Sequence, residues 1–468
     1  MTHELKQMLY YGMGLFLMKG VSFLMLPVVA NALSAEQFGQ LDLWLSVLNI
    51  GSILVGFGLT EALYKQWGDS QPDQRNELIS TATLQQAKIA SYGFIVYLFA
   101  SVAANHLLPQ LNPVQLALAS ATLLVSALIN IPLSWLRLQD SAGTFFLLTS
   151  GKALTQAAAT FAFLHAGWGV TGILLSGFIT SALLAIALIL LQHRNIRWQW
   201  RAEKGRALVK YGWPLMCSGV LLFVAAGAER WILAATVGLA ELAQYALAMQ
   251  LAMIIAIACE PLTLWWFPKR FQMLKNADGE KRTARMGELV SHFCLWMVLL
   301  LSTVTPWLIS ELLPQRYSTV ISILPWLALG MAFKQMSHLL NIGCYSGERP
   351  NIVFKINLVM AMIALTLFSA MSLWLGLQGV VITFVMLYAL RALVFVRVSQ
   401  GLLRLPYRFH LLIIHSLLVA ATLFAGFTTG VMLLLCVGQT LAFFAWLLAT
   451  THELKLFSRP VKLALEAE

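Results

Sequence analysis

The sequence predicts an all-helical membrane protein that crosses the bilayer about fourteen times. Three observations carry this. First, 59% of the 468 residues are hydrophobic and only 11% are charged, with a mean hydropathy of +0.77, a balance foreign to water-soluble globular chains. Second, the apolar residues fall into runs long enough to cross about 30 Å of hydrocarbon as helices at roughly 1.5 Å per residue. Third, the Lys and Arg residues crowd into alternate connections. A β-barrel is excluded because its strands alternate in polarity over about ten residues, whereas these runs are continuously apolar. Inside hydrocarbon such a run satisfies its own backbone polar groups only as a helix.

The predicted spans are 8–33, 41–64, 83–108, 115–137, 144–165, 168–192, 208–237, 243–267, 287–310, 319–344, 352–374, 377–400, 409–427 and 429–450. The first two define the plan of the rest. Leu33-Ser34-Ala35-Glu36-Gln37-Phe38-Gly39 makes a short turn without Lys or Arg, and the return span ends near Tyr64 at a connection carrying Lys65 and Arg75. Spans 1 and 2 are too long to be a signal-peptide core of 7–15 residues, so Ala30-Asn31-Ala32 is read as part of a retained helix. Later basic connections carry Arg137, the cluster 194–206, the cluster 269–285, Arg349, Arg404, Arg408 and Lys455 to Lys462. The opposite connections, near 34–40, 109–114, 166–167, 238–242, 311–318, 375–376 and 428, carry only Arg316. By the positive-inside rule both termini are expected in the cytoplasm, and an even number of spans satisfies that. The same pattern reads the net charge of +11 as topology, not as a nucleic-acid footprint. The basic connection 193–207, with Trp198 and Trp200, is expected to anchor on the membrane surface.

An internal echo suggests two halves. Tyr11-Gly12 opens span 1 and Tyr211-Gly212 opens span 7, and Ala35-Glu36 and Ala240-Glu241 lie in the turns that follow. Six intervening spans give both copies the same orientation, as in a parallel transporter repeat. The expected division is an N-terminal lobe 1–207, a C-terminal lobe 208–400 and an added helix pair with its tail, 401–468.

Ionisable side chains inside a bilayer are costly and mark cavities, ion paths or pairs. Lys19, Lys152, Arg230, Lys334 and Arg391 are candidate cations of a substrate site, with Glu229 and Glu260 as intramembrane acids and Glu61 near the end of span 2. Lys334, Ser337, His338, Asn341 and Tyr345 share one face of span 10, and Thr149, Lys152, Gln156 and Thr160 one face of span 5. Ser46, Asn49, Ser52, Gly56 and Thr60 make a small polar stripe on span 2. A charged polar stripe suits the wall of a wet cavity, and small hydroxyl residues also suit helix–helix contact. Glu260 precedes Pro261, where a kink is expected, and is the first candidate for exchanging a coupling proton or cation, with Glu61 and Glu229 behind it. His338 titrates near neutral pH in its ordinary state. The five cysteines lack CxxC or histidine spacing and read as small core residues, so no metal or cofactor is expected. GxxxxGK[ST], GxSxG and HExxH motifs are absent from the sequence, and no enzyme activity is expected.

The chain resembles the bacterial polysaccharide transporters, the Wzx-type flippases of the multidrug/oligosaccharidyl-lipid/polysaccharide exporter superfamily. The residues that carry the likeness are Tyr11-Gly12, the turn from Leu33 to Gly39, Gly56-Phe57-Gly58-Leu59-Thr60-Glu61-Ala62, Tyr211-Gly212-Trp213-Pro214, and Glu229-Arg230, where many relatives have Asp-Arg. The resemblance implies a V-shaped pair of six-helix lobes. It also implies flipping of an undecaprenyl-pyrophosphate-linked oligosaccharide, such as an O-antigen, capsule or exopolysaccharide repeat unit, across the bacterial inner membrane by alternating access. Expected partners are that lipid-linked oligosaccharide, membrane lipids, a coupling H+ or Na+, and a glycan polymerase with its chain-length partner. The alternative from the same superfamily is a cation-coupled multidrug antiporter, for which an acidic cavity and about twelve spans are expected.

Overall fold

The computed structural model describes residues 3–71, 74–107, 112–274, 278–345, 351–425 and 434–444. Arg349 and the basic tail from Lys455 to Lys462 lie outside them. The described chain is helical throughout, in the order α1 (His3–Ala32), α2 (Ala35–Gly56), α3 (Leu59–Asp69), α4 (Arg75–Leu107), α5 (Pro113–Leu138), α6 (Ala142–His165), α7 (Gly169–Asn195) and α8 (Ala202–Thr236). It continues with α9 (Leu239–Ala252), α10 (Ile254–Leu274), α11 (Gly279–Leu312), α12 (Thr319–Leu339), α13 (Asn351–Leu402), α14 (Phe409–Ala425) and α15 (Leu434–Phe444). The fourteen predicted spans map onto these with three exceptions. Span 2 is α2 plus α3, span 8 is α9 plus α10, and spans 11 and 12 are the two halves of α13, which turns at Gly376 with φ 57° and ψ −134°.

The turn between α1 and α2 is built by its sequence. Ser34 Oγ accepts from the Gln37 backbone N–H at 3.2 Å, and Gln37 Oε1 accepts from the Ser34 N–H at 3.1 Å. This is a reciprocal capping box that satisfies two donors at the start of α2. Phe38 is buried. Gly39 sits so near the start of α9 that a Cβ would lie 2.0 Å from the Leu239 carbonyl oxygen.

Span 2 is not continuous. It breaks at Phe57 and Gly58, both left-handed (φ 53° and 64°). The reason is a backbone crossing. A Cβ on Gly58 would stand 2.5 Å from the Gly212 oxygen, and one on Gly212 would stand 2.4 Å from the Phe57 oxygen. Two of the motifs singled out in sequence are therefore the two sides of one contact between the α2–α3 break and α8. Span 8 also breaks, but at Met253 between α9 and α10. Pro261 itself lies inside α10, which runs on to Leu274.

By packing the chain forms two units: residues 1–234 with 238–243, and residues 235–237 with 244–468. The first has a core around Leu59, Leu63, Leu78, Ile131, Trp135 and Leu188, and most of α8 packs within it. The second is centred on α12 against α13, with α11 alongside. In it α14 and α15 dock on α11: His292 and His415 share an Nδ1–Nδ1 hydrogen bond at 2.8 Å, and Trp296 Nε1 donates to Thr440 at 2.7 Å.

The basic connection between α7 and α8 is strapped onto the start of α4. Ser80 Oγ donates to the Gln199 carbonyl at 2.6 Å, Arg201 and Lys204 pair with Glu77, and Lys88 stands 3.5 Å from the Trp200 ring centroid. The two cations hold the Glu77 carboxyl below the usual glutamate range by hydrogen bonding.

Candidate functional site

The predicted intramembrane charges fall into distinct settings. The largest gathering is in the second unit, between α12 and α13. Lys334 and His338 come from successive turns of α12, and Arg391 and Tyr388 from the second half of α13. Lys334 Nζ lies 5.2 Å from the Tyr388 ring centroid. Arg391 donates to Asn357 Oδ1 at 3.2 Å and rests 5.3 Å from the Phe395 ring. His338 is close enough to Arg391 and Lys334 to feel both charges. Arg391 is 9% exposed, and its described partners are an amide and aromatic rings, not a carboxylate.

The span 10 stripe holds, with one change of backbone. Helix α12 ends at Leu339, and Asn341 and Tyr345 sit in a tight turn beyond it. That turn is seated where Gly343 N–H donates to Ser399 Oγ at 2.9 Å, with the glycine pressed against the Ser399 carbonyl. Asn341 is 3% exposed and its Oδ1 accepts no hydrogen bond from the described residues. Such an orphaned acceptor in a cationic cluster is a polar group without its complement. Chemically, the cluster gathers cations, amides and ring faces between α12 and α13, a set suited to an anion with polar substituents.

In the first unit the setting is different. Arg230, on α8, pairs through Nε with Asp42 Oδ2 of α2 at 3.1 Å, and Asp42 is 5% exposed. Glu229 is buried beside them and acts electrostatically on Asp42. One turn along α2, Ser46 accepts from Trp231 Nε1 at 2.8 Å. Sequence reasoning missed Asp42. Its signal was present: it is an acid one residue inside the predicted span 2, in an otherwise apolar run. Glu288 was missed too. It takes Arg285 at 2.7 Å within α11 and accepts from the Arg408 backbone N–H, so Arg285 is buried in a helix instead of lying in a loop.

The remaining predicted residues are dispersed. Lys19 is half-buried on α1. Glu260 is half-buried on α10, where its carbonyl accepts from Thr263 at 2.9 Å. Glu61 is exposed in the first turn of α3, a position where an acid complements the helix dipole. The span 5 stripe lies along α7: Thr160 and Ser176 are hydrogen-bonded at 2.7 Å, and Gln156 lies beside Gly177. Lys152 on that stripe lines a cleft between α6 and α7. The span 2 stripe serves helix contact at Ser46 and is split by the Phe57–Gly58 break.

Comparison with known proteins gives this architecture a family. The model of a family described as "Polysaccharide biosynthesis protein" matches residues 28–322. The chain belongs to that family. A search of the curated proteins finds no match. Among solved structures, the fold matches the lipid II flippase MurJ in an inward closed conformation with a TM-score of 0.70, at 12% identity over 96% of this chain and 99% of that one. It also matches an inward-facing multidrug-resistance MATE family transporter at 0.57, 14% identical over 82% of this chain and 94% of that one. A mutant of the Vibrio cholerae MATE transporter VcmN matches at 0.54, 14% identical over 86% and 96%. At such identities the likeness is one of fold. The chain is thus a member of the polysaccharide biosynthesis family with the many-helix fold seen in these flippase and MATE structures.

Proposed function

We propose that this chain is a flippase for a phosphate-bearing, lipid-linked oligosaccharide used in polysaccharide assembly. The observation that carries the reading is the cationic recess of Lys334, His338 and Arg391 with the orphaned Asn341 oxygen. A gathering of cations that includes the buried Arg391, whose described partners are an amide and ring faces, suits an anionic ligand, and a pyrophosphate or acidic sugar is such a ligand. Tyr345, half-exposed, offers a face of the kind sugars pack against. The polysaccharide family and the fold shared with MurJ support the same class. Lys19 and Arg230 are proposed to act on the same substrate at other stages of its passage, with Glu229 and Glu260 as sites of proton or Na+ exchange.

The bacterial inner membrane, cytoplasmic termini, an O-antigen, capsule or exopolysaccharide cargo and a polymerase partner complete the reading. The two-lobe division at 207/208 is its organising repeat. A multidrug antiporter shares the fold, but a carrier of cationic drugs would place acids where this recess places cations. No step requires bond-breaking chemistry by this chain.

The test is genetic. Deletion is expected to abolish surface glycan and accumulate its lipid-linked precursor, with both reversed by the native gene. Normal surface glycan from a carrier with Lys334→Ala and Arg391→Ala together would overturn the reading.

A further inference from the structure

The cleft between α6 and α7 lies wholly within the first unit and apart from the cationic recess. Its volume is about 190 Å³, and Leu147, Leu148, Leu183, Leu184 and Ala187 make most of its wall, with Lys152, Thr155 and Thr180 as polar members. Leu147 is 70% exposed and Leu183 55%, so the mouth of the cleft is apolar. Lys152 is half-buried and makes no hydrogen bond, ion pair or ring contact with the described residues. Depth sharpens the contrast. Helix α6 has 24 residues, and Lys152 is roughly 15 Å along it at about 1.5 Å per residue, near the middle of the span predicted at 144–165. A lysine stem reaches about 6 Å, too short to bring the ammonium to either interface from there.

An ammonium lodged at that depth in a leucine-lined cleft needs a countercharge that arrives with apolar surface attached. A phospholipid at rest keeps its phosphate at the interface, well above or below this level. A lipid whose phosphate is in transit between leaflets brings the charge to this level. We infer that the α6–α7 cleft is a midplane station for the phosphate of a long-chain isoprenoid lipid: Lys152 Nζ takes the phosphate oxygens, and the tail lies along Leu147, Leu148, Leu183 and Leu184. The Thr180 hydroxyl donates to the Ser176 carbonyl at 2.8 Å, which leaves Lys152 to meet the phosphate charge. The inference rests on the flippase reading and adds to it a second, lateral contact for the lipid anchor.

The experiment measures retention of undecaprenyl phosphate, with phosphatidylglycerol as the comparison lipid, on the purified full chain by native mass spectrometry. The variants are Lys152→Met, Lys152→Arg and the cleft-filling Leu183→Trp. Lys152→Met is expected to lower undecaprenyl phosphate retention about tenfold, the scale of one lost ionic contact. Lys152→Arg is expected to retain it, and Leu183→Trp to lower it with the lysine intact. Phosphatidylglycerol is expected to be unaffected in every variant. Unchanged undecaprenyl phosphate binding in both Lys152→Met and Leu183→Trp overturns the station and leaves the flippase reading standing. Equal losses of both lipids mean a resident phospholipid site and also overturn it. A native chain that binds no undecaprenyl phosphate while its gene still supports surface glycan overturns the station alone. The same chain with surface glycan independent of the gene overturns both.

Discussion

Two charged sites in this molecule solve the same problem in opposite ways. In the first unit Arg230 is met by the carboxylate of Asp42 at 3.1 Å, with Glu229 beside it. In the second, Arg391 is met by an amide oxygen and ring faces, with Lys334 and His338 nearby. The first arrangement carries its countercharge in the protein, so its removal is felt as instability. The second holds its charge with weaker neutral partners, so its removal is felt in whatever anion it binds. Charge deep in the membrane therefore does not identify a site by itself; the identity of the partner does.

The sharpest separation of the two comes from activity. Arg391→Ala, alone or with Lys334→Ala, is expected to lose most surface glycan in a complementation assay while the purified protein stays folded. Thermal unfolding in detergent that collapses alongside activity would make Arg391 structural and erase the distinction. Asp42→Asn should behave in the reverse sense. It leaves the Arg230 charge buried without its carboxylate, at an expected cost of about 3 kcal/mol in unfolding stability. Adding Arg230→Gln should recover most of that loss. A double variant no more stable than the single one would mean that the pair is not the relevant unit.

Between these lies a purely steric test. Gly212→Ala puts a Cβ against the Phe57 carbonyl and is expected to destabilise by about 2 kcal/mol, as overpacking does. Its unfolding curve should shift without a change in lipid binding at the second-unit recess.

The smallest effect belongs to Glu77, which pairs with Arg201 and Lys204 at the membrane surface. Its carboxyl is held below the usual glutamate value of about 4.3, so the pair's contribution is complete above that pH. It is lost as pH falls through the lower native value. Glu77→Gln should therefore differ from the native protein by less than about 1 kcal/mol at neutral pH. The difference should vanish in acid, and one that grew in acid would contradict the sign.

How far the sequence reached is visible in particular residues. Apolar runs gave the spans, because length and hydropathy leave helices no alternative in hydrocarbon. The spacing of Lys334, Ser337 and His338 placed them together on α12, because helical periodicity is local, whereas Asn341 lies beyond the end of that helix at Leu339. Arg391 was recognisable as an intramembrane charge, but nothing local said that it lies near Lys334. Asp42 escaped notice because it sits at the margin of its span, where an acid passes for an interfacial residue. The interruption of span 8 at Met253 had no local signal, since neither glycine nor proline stands there.

The sequence by itself determined that this chain is a bundle of long apolar helices, roughly where each helix begins and ends, and which polar residues share a helix face. These are consequences of hydrophobicity and the 3.6-residue period, both of which act over neighbouring residues. Tertiary structure decided which charge meets which partner: Asp42 with Arg230 across α2 and α8, Arg391 with Asn357 within α13, and Lys152 alone in its cleft. Pairing depends on packing between helices distant in sequence, where a shift of one turn exchanges a carboxylate for an aromatic ring.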